Sequence, residues 1–549
     1  MSVEFGRVDA GPSAFGRRMV VALTVVVADV AAVLSCYAFD IFGLFGGESG
    51  LTCSSLGLTE RICTGLAGNA VPRPLLLPVV VVSVVIALGL YDPRPLMARL
   101  EQSRRSPFWL ALNAAGALIF ISPYLLAAAG IPLPVFAPFS PFLLVLGALI
   151  ASSGLFFWLS DREQLAGTLK LRHVLVVFLP VPAIYLSREL QDLGWGVPAL
   201  QAATFKTAVF ILNLAGESVL SDPSQALIGV GDYVVTVGSA CSGIAGMLMV
   251  SAVMAGYILV QRNRLVVGRA LLLLPLAAGL SWVFNAVRIA VLLMIGAYVS
   301  PDLAGEGFHT NAGWLSFCAL SAFMLVAAEN LRWIHRSANT AVAPIKPLRD
   351  DAVVAQIAPF IVLLVSLLLS GAIFIKSEAG YPLRAFLMAA SVFLFWRPYR
   401  AEIRSVNALP VLAGVLIAIV WLGLKADSAS VTAAQILGPV SQGVIVFWVS
   451  CRIIGTVLLV PFIEEMFFRG YLLRRLDFGG WPGKVVAIAI SSILFGALHS
   501  DIVLASASGV VFAFLFLRRG RIFDAVVAHA TANGLIAAWA LWTGDWAVI

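Results

Sequence analysis

The chain has 549 residues, of which 60% are hydrophobic and only 12% are charged, and its mean hydropathy is +0.98. Soluble proteins carry about 25% charged residues, so this composition excludes an ordinary water-soluble domain. The net charge of +7 reflects lysines and arginines that cluster in alternate loops, which is typical of membrane topology, and nucleic acid is not expected as a partner.

Apolar runs of about 20 residues recur along the whole chain, and each is long enough to cross a bilayer as a helix. Strand-like alternation is absent, so the sequence predicts an all-α polytopic membrane protein with roughly 14–16 transmembrane helices in two helical bundles. In chain order the predicted spans are 19–45, 74–91, 108–128, 135–158, 172–188, 243–261, 270–299, 312–333, 355–375, 382–396, 407–424, 442–463, 484–499, 502–517 and 522–543.

A polar stretch with two prolines, HRSANTAVAPIKPLRDD, separates two groups of spans. We therefore expect an N-terminal span and outer loop at 1–74, a first membrane domain at 75–335, a linker at 336–354 and a second membrane domain at 355–549.

The basic loops orient the chain, because they fall on one side of the predicted bundle. The positive-inside rule assigns that side, with the N-terminus, to the cytoplasm. The segment 197–214 carries Lys206 near its centre, and we interpret it as re-entrant or interfacial. The loops 215–241 and 300–311 then face outward, as do Cys53 and Cys63 after the first span. Since about ten residues separate these cysteines, a disulfide between them is compatible with an oxidising compartment.

Three reactive residue types collect at the outer face in this topology. Cys241 stands in GSACSGIAG, where an outer loop enters a span, and His309 stands in EGFHTNAGW in the next outer loop. Arg288, in WVFNAVRIAV, lies about 18 residues along a helix that begins at the cytoplasmic face. That distance is about 27 Å, which places Arg288 near the outer edge of the hydrocarbon.

These residue types suit acyl transfer. A thiolate attacks a peptide carbonyl, an imidazole manages protons and a guanidinium stabilises the oxyanion. Taken singly, a membrane cysteine is usually packing filler and a loop histidine is usually solvated. Arg288 is harder to explain in that way, because a charge inside a span costs about 2.5–3.5 kcal/mol on insertion scales. Small residues beside the cysteine would let a peptide backbone approach closely: Ser239, Ala240, Ser242 and Gly243.

The pieces ACSGI, NAVRIA and FHTNAGW, in this order, resemble the motifs of the exosortase family. Exosortases are bacterial membrane enzymes analogous to sortases, proposed to cut C-terminal sorting signals from exported proteins. The resemblance covers roughly residues 75–335 and implies that Cys241 is the nucleophile, with Arg288 and His309 as its partners. It also implies a place in the inner membrane of a Gram-negative bacterium, with this site toward the periplasm.

A second group of polar residues lies near the C-terminus. PFIEEMFFRGYLLRRL places Glu464 and Glu465 side by side at the end of an apolar run. On a helix Glu465 and Arg469 are four residues apart and can pair, whereas Glu464 points about 100° away and is left free.

Histidines follow on the next spans. His499 stands in ILFGALHS, and His529 and Asn533 are one turn apart in AVVAHATANG. All are costly in lipid and are expected to face the bundle interior. A buried glutamate bonded to a histidine can act as general base toward water, and the last two residues can donate hydrogen bonds to an oxyanion.

Two other interpretations of this group stay open. Glu464, His499 and His529 together are donors that zinc accepts, although no His-Glu-x-x-His spacing is present. The same residues could instead form a structural polar network that ties helices together. We expect no cofactor and no metal.

The succession EExxxR, FxxxH and HxxxN resembles the CAAX-protease and bacteriocin-processing family of intramembrane metalloprotease-like endopeptidases, over about 440–545. This resemblance implies water activation by Glu464 and His499, an oxyanion site at His529 and Asn533, and a supporting role for Glu465 and Arg469. Some relatives act as immunity or scaffold proteins. The two regions together are similar to the exosortase E fusion type, which is associated with VPEID-type C-terminal sorting signals.

These features predict a membrane-embedded protein-processing enzyme. The expected partners are exported proteins with C-terminal sorting signals, together with the lipid bilayer. A transporter, a channel or a non-catalytic membrane scaffold is the alternative. No inverted repeat and no pair of broken helices is evident in the sequence, which disfavours a transporter.

Overall fold

A computed structural model describes residues 14–37, 41–42, 44, 106–159, 197–336, 347–403, 405–425, 430–477 and 479–549. Among these residues, 9 helices are long and apolar enough to cross a membrane, so the all-α polytopic fold class is confirmed. The predicted spans 74–91 and 172–188, and the cysteines Cys53 and Cys63, lie outside the described residues. The total number of spans and the topology of that loop stay predictions.

The principal helices run in chain order from the N-terminus to the C-terminus. Those before the linker are α1 (Ala14–Tyr37), α2 (Phe108–Ala128), α3 (Ser140–Leu159), α4 (Pro198–Leu214), α5 (Ile244–Gln261), α6 (Leu273–Tyr298) and α7 (His309–Asn330). Those after it are α8 (Ala352–Ile373), α9 (Tyr381–Leu394), α10 (Ala408–Lys425), α11 (Gln442–Ile454), α12 (Val460–Glu465), α13 (Gly480–Gly496), α14 (Ile502–Arg519) and α15 (Ile522–Thr543).

Shorter pieces connect them. One-turn α-helices lie at Leu133–Phe136, Val267–Ala270, Trp396–Tyr399, Ala433–Leu437 and Arg474–Leu476. Turns of 3₁₀-helix lie at Ala137–Phe139, Ser239–Cys241, Arg332–Ile334, Leu348–Asp350, Ser377–Gly380 and Trp546–Val548. Segments of π-helix lie at Leu303–Phe308, Gly455–Leu459 and Met466–Leu473.

Two predicted boundaries are wrong. The span predicted at 442–463 continues as one helical run from Gln442 to Leu476, because the charged side chains that suggested its end, Glu464 and Glu465, are buried inside the protein. The loop predicted at 300–311 is helical from residue 301 onward, and α7 begins at His309, three residues earlier than expected. The start of α8 is fixed by Asp351, whose side chain accepts hydrogen bonds from the N–H groups of Val353 and Val354.

The chain divides into two compact units. The first consists of Met1–Val174 and Leu472–Val510, and its described part contains α1, α2, α3, α13 and the beginning of α14. Here α2 and α3 approach closely at glycines, since a Cβ on Gly154 would lie 2.5 Å from the backbone nitrogen of Asn113. Asn113 Nδ2 donates to Asp29 Oδ2 at 3.0 Å and to the Ala151 carbonyl at 3.0 Å. Small residues and interhelical polar contacts are the usual means of packing helices in lipid.

The second unit, Leu175–Tyr471 and Val511–Ile549, holds α4 to α12 and α15. It also contains a small antiparallel sheet in the predicted outer loop 215–241, with strands β1 (Val219–Asp222), β2 (Leu227–Val230) and β3 (Tyr233–Thr236) in the order β1-β2-β3. A tight turn with Gly231 at φ +56° pairs Val230 with Tyr233. The sheet is fixed to α4 and α6 by a buried apolar cluster that includes Phe205, Leu212 and Leu293. It therefore gives the segment entering Cys241 a rigid base.

A second apolar cluster joins α5, α6 and α7 at the ends far from Cys241, through Val250, Met254, Leu273, Leu320 and Met324. The three helices are thus held together at one end, and their opposite ends carry the polar residues described next.

Candidate active sites

Cys241 lies at the end of a 3₁₀ turn immediately before α5. Its N–H donates to the Gly238 carbonyl at 2.9 Å, and the N–H of Ser242 donates to the Ser239 carbonyl at 3.0 Å. Gly243 then takes a left-handed conformation, with φ of +79°, which strongly favours glycine. The sequence ACSG thus builds a sharp turn that presents the half-buried cysteine beside the helix.

His309 lies opposite this turn at the start of α7. Its Nε2 is 3.2 Å from the Sγ of Cys241, which is within hydrogen-bond reach for sulfur. The ring is half-buried and makes no other hydrogen bond to the part of the chain that the structure describes. The predicted nucleophile and its predicted proton acceptor are therefore in direct contact.

Arg288 completes the predicted group from α6. It shares a cavity of about 280 Å³ with His309, between α5, α6 and α7. Its Nε and Nη2 atoms are buried and have no hydrogen-bond partner among the described residues. A Cβ on Gly313 would lie 2.8 Å from Arg288 Nη1, so glycine at that position leaves room for the guanidinium. A cation without an anionic partner can stabilise a negative charge that develops in its cavity.

Two residues of this site were missed in the sequence. Asn285 is buried and donates from Nδ2 to the carbonyl oxygen of Cys241 at 2.6 Å. Ser281 lines the same cavity as Arg288. Both lie on the face of α6 that carries Arg288, at spacings of three and seven residues. These two polar residues could have been predicted from their helical spacing relative to Arg288.

The second group is centred on Glu465. Its side chain is fully buried, and Oε1 accepts hydrogen bonds from Arg469 Nη1 at 3.0 Å and from His529 Nδ1 at 3.0 Å. The predicted pairing of Glu465 with Arg469 is therefore observed, although the residues after Glu465 are π-helical. The ring of His529 stacks on Phe512, with the centroids 4.8 Å apart. Both contacts fix the orientation of the imidazole.

Glu464 is buried but is not part of that hydrogen-bonded group. Only 4% of its surface is exposed, and its Oε2 atom has no hydrogen-bond partner within the described ranges. Asn533 donates from Nδ2 to the Thr456 carbonyl at 2.9 Å. Because an amide nitrogen carries two hydrogens, Asn533 keeps one further donor.

His499 belongs to the other compact unit. It lies three residues beyond the end of α13, in the turn that leads to α14, and not within the span as expected. Its Nδ1 is 2.9 Å from the carbonyl oxygen of Phe495, and the two rings are 4.7 Å apart. The two residues of the FxxxH motif, Phe495 and His499, thus contact each other across one turn at the end of α13.

The bond between His529 and Glu465 bears on the predicted oxyanion role. A neutral imidazole that donates from Nδ1 carries a lone pair, not a hydrogen, on Nε2. His529 can therefore donate to an oxyanion only as an imidazolium, which the Glu465 carboxylate would stabilise. Among the described residues, no three His, Cys, Asp or Glu side chains are grouped to hold a metal ion. The zinc alternative thus has no preformed ligand set in that part of the chain.

A further charge cluster, in which two buried arginines meet a partly exposed glutamate, was not predicted. Glu378 bonds Arg384, with 3.1 Å between Nη1 and Oε1, and it also bonds Arg452, which lies over the Tyr381 ring at 4.3 Å. Burial raises the pKa of the Glu378 carboxyl, but the charges of Arg452 and Arg384 outweigh burial and hold that pKa below its ordinary value. Tyr381 contacts Thr456 at 2.8 Å between the two hydroxyl oxygens. The cluster therefore borders the residue whose carbonyl binds Asn533.

Comparison with known protein families agrees with these two groups. Residues 62–326 match the family described as transmembrane exosortase. Residues 446–535 match the family described as type II CAAX prenyl endopeptidase Rce1-like. The first match contains Cys241, Arg288 and His309, and the second contains the Glu465 group.

A relative from Bacillus subtilis, named "Putative membrane peptidase YdiL", is 34% identical over 94 residues, which are 16% of this chain. The aligned part spans 36% of that protein's length, about a third. No solved structure matches the chain. One polypeptide therefore carries a region similar to the transmembrane exosortase family and a region similar to the Rce1-like CAAX endopeptidase family, as the motifs predicted.

Proposed function

We propose that this membrane protein is a processing peptidase with a cysteine site at Cys241 and a second, glutamate-dependent site at Glu464. The contact of 3.2 Å between Cys241 Sγ and His309 Nε2 is the observation that supports the proposal most. It lies beside Arg288, two of whose nitrogens have no hydrogen-bond partner among the described residues. Packing alone does not require a thiol in contact with an imidazole that lines the same cavity as a buried guanidinium.

The first step at the cysteine site is acylation. His309 Nε2 takes the thiol proton of Cys241, and the thiolate attacks the carbonyl carbon of the scissile peptide bond. A C–S bond forms and the carbonyl oxygen becomes an oxyanion, to which Arg288 donates hydrogen bonds. The C–N bond then breaks, and the leaving amine takes the proton from the His309 imidazolium, which leaves a thioester.

The second step releases the acyl group. His309 accepts a proton from an incoming nucleophile, which attacks the thioester carbon, and the C–S bond breaks to regenerate the thiol. Water as the nucleophile gives hydrolysis, and an amine or hydroxyl of another molecule gives transfer. The substrates are exported proteins with a C-terminal signal, made of a short VPEID-type motif, an apolar helix and a basic tail. Cleavage takes place at the periplasmic face of the inner membrane.

The glutamate site has a different division of roles. Glu464 is the general base toward water, because its carboxylate lies outside the Glu465 hydrogen-bonded group. His529 and Asn533 stabilise the oxyanion, while Glu465 and Arg469 hold His529 in place. Its substrate is a peptide within the membrane, and the signal remnant released by the first site is a candidate.

The cysteine mechanism is tested by substituting the nucleophile. Cys241→Ala and Cys241→Ser should each lower processing of a reporter with a VPEID-type C-terminal signal by at least about 10³-fold, because neither side chain supplies a thiolate. Cys318→Ala is the matched control, since Cys318 is an exposed cysteine on α7. The measurement is the reporter's C-terminal mass in membranes that contain each variant.

The control variant should process the reporter at the wild-type rate, and all variants should reach the membrane in equal amounts. Processing by Cys241→Ala at the normal rate would show that the cysteine mechanism is wrong.

A further inference from the structure

The cavity that holds Arg288 and His309 extends away from the nucleophile along one face of α6. Three polar residues mark this face, and we call them the α6 polar stripe: Ser281, Asn285 and Arg288. Ser281 precedes Arg288 by seven residues, which is about 10 Å along the helix axis. The stripe therefore carries polar groups from the cysteine site well into a membrane-spanning segment.

Each residue of the α6 polar stripe faces a glycine of a neighbouring helix or turn. A Cβ on Gly246 would lie 2.8 Å from Ser281 Oγ, one on Gly243 would lie 3.1 Å from Asn285, and one on Gly313 would lie 2.8 Å from Arg288 Nη1. Any larger side chain would press against the polar groups. The glycines thus keep the stripe open toward the cavity.

Two members of the stripe have unused donors. Ser281 is 8% exposed, and its hydroxyl makes no hydrogen bond within the described residues. Arg288 has two buried nitrogens without partners there. Asn285, by contrast, is already bonded to Cys241. Leaving buried donors such as those of Arg288 unpaired costs about 1–3 kcal/mol each. These donors, together with the Ser281 hydroxyl that lines the same cavity, therefore point to a ligand that brings acceptors.

We propose that the α6 polar stripe binds the main chain of an extended substrate segment, on the membrane-embedded side of the scissile peptide bond. This inference rests on the proposed cysteine peptidase function. The scissile bond must leave any helix before Cys241 can reach its carbonyl, and the neighbouring carbonyls then lose their helical partners. In lipid, such backbone is tolerated only where protein or a polar cavity supplies hydrogen bonds.

The rest of the cavity fits the same ligand. Glycines on both sides of the stripe allow a peptide backbone to approach, and Met249, Phe317 and Leu320 form an apolar wall that suits aliphatic side chains. Ser281 and Arg288 would donate to two substrate carbonyls about 10 Å apart along α6. An extended chain spans that distance with about three residues. The occupant is thus a short, apolar and extended stretch of one polypeptide.

The first test removes one donor. Two reporters carry a VPEID-type motif, an apolar segment of about 20 residues and a basic tail. In one, leucine and alanine follow the motif and favour a helix, and in the other, glycines at those positions weaken it. Ser281→Ala should slow both reporters about 10-fold, since one buried hydrogen bond to the extended segment is worth about a factor of ten. In wild type and variant alike, the glycine reporter should be processed faster than the leucine–alanine reporter, because less helix must unwind.

The second test closes the stripe with a methyl group. Gly246→Ala should slow both reporters at least about 10-fold, because its Cβ would crowd Ser281. Gly256→Ala is the matched control on α5, since no atom of the described residues outside its own stretch of helix backbone lies within 4 Å of its added Cβ. It should leave the rate unchanged. Thermal unfolding of each variant in detergent shows whether the fold is kept.

The outcomes distinguish failure of the proposed binding stripe from failure of the proposed cysteine peptidase function. If wild-type processing depends on Cys241 but Ser281→Ala slows neither reporter, or the glycine reporter is not processed faster than the leucine–alanine reporter, the stripe does not bind an unwound segment. The same conclusion follows if Gly246→Ala behaves like Gly256→Ala. If wild type and Cys241→Ala process the reporters equally, the proposed cysteine function itself is wrong.

Discussion

Arg288 and Arg469 are both arginines inside a helical membrane protein, but their surroundings are opposite. Arg288 faces a cavity, and two of its buried side-chain nitrogens lack hydrogen-bond partners among the described residues. Arg469 has no exposed side-chain surface and is bonded to Glu465, whose carboxylate also holds His529. The first arginine has capacity to bind something that arrives, whereas the second already holds its counter-ion.

The carboxylates of the C-terminal group show the same contrast within two consecutive residues. Glu465 accepts two hydrogen bonds from charged or polar groups, while Glu464 Oε2 accepts none from the described residues. A paired charge holds its neighbours in position, whereas an unpaired buried charge lowers the stability of the fold. We therefore expect the paired residues, Glu465 and Arg469, to support the site, and the unpaired ones, Glu464 and Arg288, to take part in the reaction.

The largest stability effect is expected for the paired carboxylate. Glu465→Gln leaves the Arg469 charge buried without its counter-ion, and losing one partner of a buried pair costs about 3–5 kcal/mol. We expect a marked fall in the thermal unfolding temperature in detergent, together with loss of cleavage at the second site. Asp350→Asn is the control, because it removes an exposed ion pair. The side chain of Asp350 is 35% exposed and that of its partner Arg397 is 69% exposed. Exposed pairs contribute about 0–1 kcal/mol.

A double variant sharpens this prediction. Glu465→Gln combined with Arg469→Met removes both charges, and it should recover much of the stability lost in the single variant. Wild-type stability of Glu465→Gln alone would contradict a supporting role for this pair.

The unpaired carboxylate should behave in the opposite way. Glu464→Gln keeps the shape of the side chain but cannot accept a proton, so cleavage should fall by about 10² or more. Stability should stay equal or rise, because a buried charge is removed. The measurement uses the full chain with Cys241→Ala, so that only the second site can cut a quenched-fluorescent apolar peptide.

Two results would overturn this assignment. Full activity of Glu464→Gln would end the general-base role and favour a structural polar network. Activity that a strong chelator abolishes and zinc restores would favour the metal alternative. We expect the chelator to have no effect.

Most of the helical pattern could be predicted from the sequence, because lipid makes long apolar runs an almost sufficient signal. The predicted spans 108–128 and 522–543 coincide with α2 and α15. The errors arose where charge was taken as the end of a span. Glu464, Glu465 and Arg469 lie inside the run Gln442–Leu476, since all three are buried inside the protein and Glu465 is paired with Arg469.

The residues with reactive side chains were easier to predict than those that position them. Cys241, Arg288 and His309 could be proposed because their chemistry is distinctive in an apolar chain. Asn285 and the strands β1 to β3 were missed, because an amide at a helix interface resembles a packing residue and strands of only four residues are too short to show a pattern. Contacts such as Asn285 to the Cys241 carbonyl depend on tertiary approach, which no local pattern encodes.

The smallest effect on stability is expected at Glu378, which is neither fully buried and paired like Glu465 nor buried and unpaired like Glu464. It bonds Arg384 and Arg452, which are buried, but 41% of its own side chain is exposed. Water therefore screens the interaction, and Glu378→Gln should lower the free energy of unfolding by about 1 kcal/mol at neutral pH. The measurement is thermal unfolding of wild type and variant in detergent at a series of pH values.

The pH dependence gives the sign of the effect. The two arginines hold the Glu378 pKa below its ordinary value, which is about 4.3 in unstructured peptides. An acid whose pKa is lowered by folding stabilises the protein fully above that value and loses the contribution as pH falls through the folded pKa. The difference between wild type and Glu378→Gln should therefore be constant above about pH 5 and shrink below about pH 4. A difference that grows on acidification would mean that Glu378 is protonated in the folded protein and that its arginines are bound in another way.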